Sequence, residues 1–214
     1  MESLIFDIDG TLWDSRALVA EGYNLQLHDE GLVGYDTNAE ELKTLFGKTM
    51  TEIADILFPD IPQEQRYELM QRCMDRENAY LAQSPCRVGY EGIVEALEAL
   101  SRDYRLFIVS NCQKGYPELV MEKLGVTHLF TGWLCYGDTQ TPKGETILRL
   151  MEQYHIHAAC YIGDTQGDME AAHYAGLPFV YALLRFRNRH ELCDSGSSLH
   201  SALPLGQQQC QFHL

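Results

Sequence analysis

The chain has 214 residues, 45% of them hydrophobic and 22% charged, enough apolar material for one substantial domain or a core with a modest insertion. Its 16 Lys+Arg stand against 31 Asp+Glu, and a formal charge of −15 sets aside broad electrostatic attraction to nucleic acid or to an anionic membrane. Seven cysteines form no CxxC pair, no basic-then-apolar leader is present and no run of about 18 apolar residues occurs, so reduced thiols, a cytoplasmic location and no membrane span are expected.

The first element along the chain is the run LIFDID at 4–9, closed by Gly10 and carrying Asp7 and Asp9. Taken alone, it reads either as a strand finishing in an acidic turn or as a site where two carboxylates are forced together. Residues 15–83 contain no convincing strand. RALVAEGYNLQL, AEELKTLFG, MTEIADILF and QEQRYELMQRCMDRENAYL have helical spacing instead, so the interval reads as a helical insertion, a lid beside the Asp7 turn or architecture alone. Beyond it, helical IVEALEALS (93–101), YPELVMEKLG (116–125) and GETILRLMEQYH (144–155) alternate with the apolar runs RLFIVSN (105–111), WLCYGD (133–138), ACYIGDT (159–165) and LPFVYAL (177–183). That alternation predicts an α/β fold, a Rossmann-like parallel sheet flanked by helices, with ligands at the carboxyl ends of its strands. The expected division is a core of 1–14 and 84–183, a helical cap over 15–83, and an aperiodic, Ser- and Gln-rich tail over 184–214 that is poorly ordered.

Three further polar clusters fall at strand ends: Ser110 and Asn111 in IVSNC, Lys143 in TPKG at a helix start, and Asp164 with Asp168 in YIGDTQGD. With Asp7 and Asp9 they supply carboxylates, a hydroxyl and an ammonium, an inventory suited to Mg²⁺-assisted phosphoryl transfer. Magnesium takes hard oxygen ligands and a substrate phosphate. A carboxylate attacks phosphorus only when its repulsion from the phosphate is screened, and the developing charge needs fixed donors. Lysine in a first helical turn opposes the helix dipole, so an anionic partner would explain Lys143.

Asp7-Ile8-Asp9-Gly10-Thr11, Ser110-Asn111, Lys143 and Gly163-Asp164 with Asp168, in that order around a helical insertion, resemble the haloacid dehalogenase superfamily over residues 1 to 182. The branch is the phosphoglycolate-phosphatase-like and β-phosphoglucomutase-like one with a helical cap. The resemblance implies a Mg²⁺-dependent phosphatase acting on a small phosphorylated metabolite, phosphoglycolate-like or a sugar or nucleotide monophosphate. In it Asp7 is the nucleophile that becomes an aspartyl-phosphate, and Asp9 is the general acid and base. Asp7, Asp164 and the main-chain carbonyl of Asp9 hold the metal, and Asp168 supports the metal shell or Lys143. Thr11, Ser110, Asn111 and Lys143 meet the phosphate. The acid at Asp9, which a halide leaving group does not need, disfavours dehalogenation. A phosphomutase remains an alternative, although the Asp14-Ser15-Arg16 hinge lacks a histidine relay, and so does a non-catalytic binding module of the same fold.

Lys48 and Arg16 are candidate substrate contacts from the cap, each weighed against a solvated surface residue, as is His28. His155 and His157 read as a turn, Trp13 as packing at the hinge, and Cys112 and Cys135 lack a positioned base for thiol catalysis. A monomer or weak dimer with no nucleic-acid or membrane partner is expected. After Leu183 the chain departs from the family pattern, and a shifted reading frame would account for that.

Overall fold

The computed structural model describes residues 2–182; the tail expected at 184–214, with its possible frame shift, lies outside the described residues. Five strands, β1 (Ser3–Phe6), β2 (Arg105–Ser110), β3 (Phe130–Cys135), β4 (Ala159–Gly163) and β5 (Phe179–Tyr181), form one sheet in the order β3-β2-β1-β4-β5. Every pairing is parallel. The sheet grows from β1 to one side through β2 and β3 and to the other through β4 and β5. The direction of winding therefore reverses beside β1, and a crevice opens at its carboxyl end.

The apolar runs are continuous because the strands are covered on both faces. Leu4 and Phe6 of β1 join Leu106, Ile108 and Cys160 in one core, whereas Ile5 joins Phe107, Val109, Ala159 and Tyr161 in the other. Successive residues thus serve opposite faces, the period of two that a pleated strand imposes.

The helices α1 (Arg16–Asp29), α2 (Ala39–Lys43), α3 (Met50–Leu57) and α4 (Gln63–Gln83) stand where the insertion was expected. Asn38 caps α2 by accepting from the amides of Glu40 and Glu41, and Thr49 with Glu52 closes a capping box on α3. Leu18, Val19, Leu27, Leu42, Ile53 and Leu69 from these helices are continuous with the core that covers Leu4 and Phe6. Then follow α5 (Ile93–Leu100), α6 (Tyr116–Leu124), α7 (Tyr136–Thr139), α8 (Lys143–Gln153) and α9 (Gln166–Tyr174). The run WLCYGD is strand only to Cys135; Asp138 accepts from the Cys135 amide at 3.2 Å and turns the remainder into the short α7. Among the described residues, no helix is long and apolar enough to cross a membrane.

Candidate active site

β1 ends at Phe6, and Asp7 and Asp9 follow it in a turn that brings both to one cavity. Asp7 still continues the parallel ladder, its amide donating to the Ile162 carbonyl at 2.9 Å, and the amides of Thr11 and Leu12 fold back onto the Ile8 carbonyl at 3.1 and 2.7 Å. Gly10 makes the turn possible. Its φ is +83°, and a Cβ there would lie 2.1 Å from Oδ2 of Asp164, so both conformation and space require glycine.

Lys143 opens α8 behind Pro142 and is buried, its ammonium donating to Asp7 at 3.0 Å and to Asp168. A cation at a helix N-terminus is unfavourable by itself, and these two carboxylates offset it. Asp168, in the first turn of α9, also accepts from the Thr165 hydroxyl at 2.7 Å and from the amides of Thr165 and Asp164 at 3.0 and 3.2 Å. Burial opposes its charge, yet Lys143 and Thr165 outweigh that and hold it below the usual carboxylate range. Asp7 is pushed up to about 7, first by burial and then by repulsion from Asp168, which exceed the pull of Lys143.

Asp7, Asp164 and Asp168 present carboxylate oxygens within 4.8 Å of one another. Asp168 is committed to Lys143 and to the start of α9, whereas Oδ1 of Asp164 is buried with no hydrogen-bond partner. Burial, then repulsion from Asp7 and Asp168, pushes Asp164 up to about 8. A buried, unpartnered oxygen beside a second carboxylate is what a bound cation would resolve, and the all-oxygen donor set suits a hard ion such as Mg²⁺. The Thr11 hydroxyl close to this turn is likewise buried without a partner.

Asp9 is treated differently. Three neutral donors converge on its Oδ1: the Trp13 indole at 2.9 Å, the Ser15 hydroxyl at 2.8 Å and the Tyr116 hydroxyl at 2.9 Å. Tyr116 is fixed in turn by edge-on contact with Trp13. Burial outweighs the three donors and pushes Asp9 up to about 6.

A cavity of about 30 Å³ lies over the strand ends, bordered by Asp7, Asp9, Ser110 and Asn111 on one side and by residues of α1 to α4 on the other. That is room for a few waters. Lys48 lines it. Arg16 does not: it is buried with its guanidinium forked onto Asp14 at 2.9 and 3.1 Å. The Asn111 amide donates to the Gly47 carbonyl at 2.8 Å, joining the strand ends to the loop ahead of α3. His28 pairs with Asp36 on the surface, and His155 sits at φ 51° in the turn after α8. Cys112 and Cys135 are buried free thiols, that of Cys112 pushed up by burial. Sequence reasoning missed Ser15 and Tyr116, and read Trp13 as packing at the hinge ahead of a contact in the site. It also missed Tyr23, Glu77 and Gln113 on the cavity wall.

Over residues 4–182 the chain matches the model of the family described as haloacid dehalogenase-like hydrolase. It is similar to the phosphoglycolate phosphatase of Agrobacterium fabrum, 30% identical over an alignment of 189 residues that covers 82% of this chain and 78% of that one. The phosphoglycolate phosphatase of Aquifex aeolicus is 27% identical over an alignment of 189 residues that covers 86% of this chain and 85% of the relative. Among solved structures, a haloacid dehalogenase-like family hydrolase from Streptococcus pneumoniae superposes with a TM-score of 0.71 at 21% identity, covering 85% of this chain and 84% of the other. At that identity the likeness is one of fold.

Proposed function

The chain belongs to the haloacid dehalogenase-like hydrolases, as a phosphoric monoester hydrolase, and from that premise we propose that it is a Mg²⁺-dependent phosphatase of a small phosphorylated metabolite, acting through an aspartyl-phosphate on Asp7. Residues 15–83 serve as a cap over a core of 1–14 and 84–183.

The observation that carries this reading is the unequal company of two neighbouring aspartates. Asp7 touches a cation, Lys143, whereas Asp9 touches only neutral donors. In the first, Lys143 opposes the burial and the Asp168 charge that push Asp7 up to about 7, so the attacking carboxylate has a cation beside it, and a bound metal would favour its anionic form further. The second leaves a carboxyl near neutrality, with one oxygen held and the other available, able to give a proton to the leaving oxygen and then take one from water. Lys143, Ser110, Asn111, Thr11 and the main-chain amides of the turn hold the phosphoryl oxygens, and Asp168 positions Lys143.

Asp7 and Asp164, with the main-chain carbonyl of Asp9, would hold the Mg²⁺, which supplies screening of Asp7 and polarisation of a phosphoryl oxygen when bound. The hinge supports water, rather than a second sugar hydroxyl, as acceptor. Ser15 is bonded to Asp9 and Arg16 to Asp14, so neither is placed as the relay a mutase needs.

The test is phosphate release from p-nitrophenyl phosphate with and without Mg²⁺. Release that requires the metal and vanishes in Asp7→Asn is the expected result, and undiminished turnover by Asp7→Asn would sink the mechanism.

A further inference from the structure

The cavity wall opposite the strand ends holds a carboxyl group that the mechanism leaves unused. Glu77 lies on α4, only 3% exposed, and lines the same cavity as Asp7 and Asp9. Its place is set by a close helix crossing: a Cβ added to Gly22 of α1 would lie 2.8 Å from the Glu77 Cα, so the two helices meet main chain to main chain there. The Tyr23 hydroxyl and the Gln113 side chain line the cavity beside it and oppose the upward push of burial on its carboxyl. Gln113 is oriented in turn, its Nε2 donating to Asn78 at 3.0 Å, which leaves the Gln113 carbonyl oxygen as an acceptor. Apart from Lys48 at the rim, the rest of this wall is largely apolar, with Val19, Leu42, Phe46 and Ile53.

Burying a carboxyl group in an otherwise apolar wall carries a desolvation cost, which a hydrogen-bond donor brought by a ligand would offset. Resting on the phosphatase reading, we infer that Glu77, Tyr23 and Gln113 form the leaving-group subsite, and that this subsite selects phosphate monoesters of polyols over esters whose leaving group ends in a carboxylate. A hydroxyl can donate to Glu77 or to the Gln113 carbonyl and accept from Tyr23, whatever the protonation state of Glu77. A substrate carboxylate finds a donor in Glu77 only while that group holds its proton, and it enters a cavity already bordered by Asp7 and Asp9. Lys48 is the cation of this wall, and it is exposed at the rim.

The experiment measures kcat/KM of the Mg²⁺-supplied full chain on ribose phosphate, glycerol phosphate and phosphoglycolate, with p-nitrophenyl phosphate as reference. Wild type is expected to favour the polyol esters over phosphoglycolate at least tenfold. Glu77→Met, which keeps the bulk and removes the hydrogen bonds, should lower that ratio at least tenfold, mainly through KM, while Glu77→Gln should keep part of it. Thermal melting of both variants at or above the wild-type temperature identifies a lost ratio as a lost contact rather than misfolding. Preference for phosphoglycolate in wild type, or a ratio unchanged in Glu77→Met, overturns the inference while the reference turnover leaves the phosphatase reading intact. Absence of turnover on the reference ester overturns both.

Discussion

The two sides of the cavity are built on opposite principles. At the strand ends, charged groups are held in short contacts fixed by the sheet: Lys143 between Asp7 and Asp168, Asp168 on the first turn of α9, and Gly10 pressed against Asp164. On the helical side the wall is largely apolar, and its one buried acid, Glu77, depends on how closely α1 and α4 approach. On the proposed reading, the groups that meet the reacting centre stand at strand ends and on the first turns of the helices that follow them, while Glu77 and Tyr23, which would meet the variable part of a ligand, stand on helices set by packing.

The largest test of that contrast falls on Asp9. Asp9→Asn removes the proton donor and should lower turnover of an alkyl phosphate by about 10²- to 10⁴-fold, and that of p-nitrophenyl phosphate, whose leaving group needs little protonation, by much less. Equal losses on both esters would show that Asp9 acts by position rather than by proton transfer. Lys143→Met comes next, leaving Asp7 and Asp168 buried without their cation; a stability loss of about 3–5 kcal/mol is expected in denaturant titration, together with lost activity. Gly22→Val probes the other side. Overpacking the helix crossing should cost about 1–3 kcal/mol and alter substrate ratios more than aryl-phosphate turnover.

Glu77 gives a pH-dependent test. Burial, then repulsion from Asp9, raises it from 4.5 to about 8, so between those values the folded chain keeps a proton that the unfolded chain has released. This acid therefore erodes stability as pH rises through that window and has no such effect below it. Glu77→Gln should melt closer to wild type at low pH and progressively above it toward pH 8; a difference independent of pH would contradict the burial of an ionisable group. The smallest effect belongs to Tyr116→Phe, which removes one of three donors to Asp9 and shifts its ionisation further upward. The limb of the pH–rate profile that requires ionised Asp9 should move to higher pH, with a loss of about 0.5–1.5 kcal/mol, several-fold in rate.

How much of this was legible in the sequence follows from the range of the interactions involved. The strands announce themselves because a sheet covered on both faces needs unbroken apolar runs, Asp7, Ser110 and Asp164 stand out because each interrupts or follows such a run, and Lys143 because it opens a helix against the dipole. The helical boundaries of 16–29 and 63–83 are local matters of spacing and match closely. Glu77 is different. Within QRCMDRENAYL it looks like one more charge on a solvated face, and it is buried because Gly22, 55 positions earlier, lets another helix approach. Arg16 is the opposite case: its partner Asp14 is two residues away, but the burial of the pair belongs to the tertiary fold.

The Asn111 amide has two hydrogens, and one of them is directed at the Gly47 carbonyl. The same side chain borders the cavity. The position of the loop around Gly47 and the occupancy of the site are therefore linked variables read through one group. By reciprocity, any free energy that an occupant gains from finding this loop in place is returned as a bias of the loop toward that place. On the proposed phosphate role of Asn111, departure of phosphate and withdrawal of the loop would be coupled in their equilibria through a single 2.8 Å hydrogen bond.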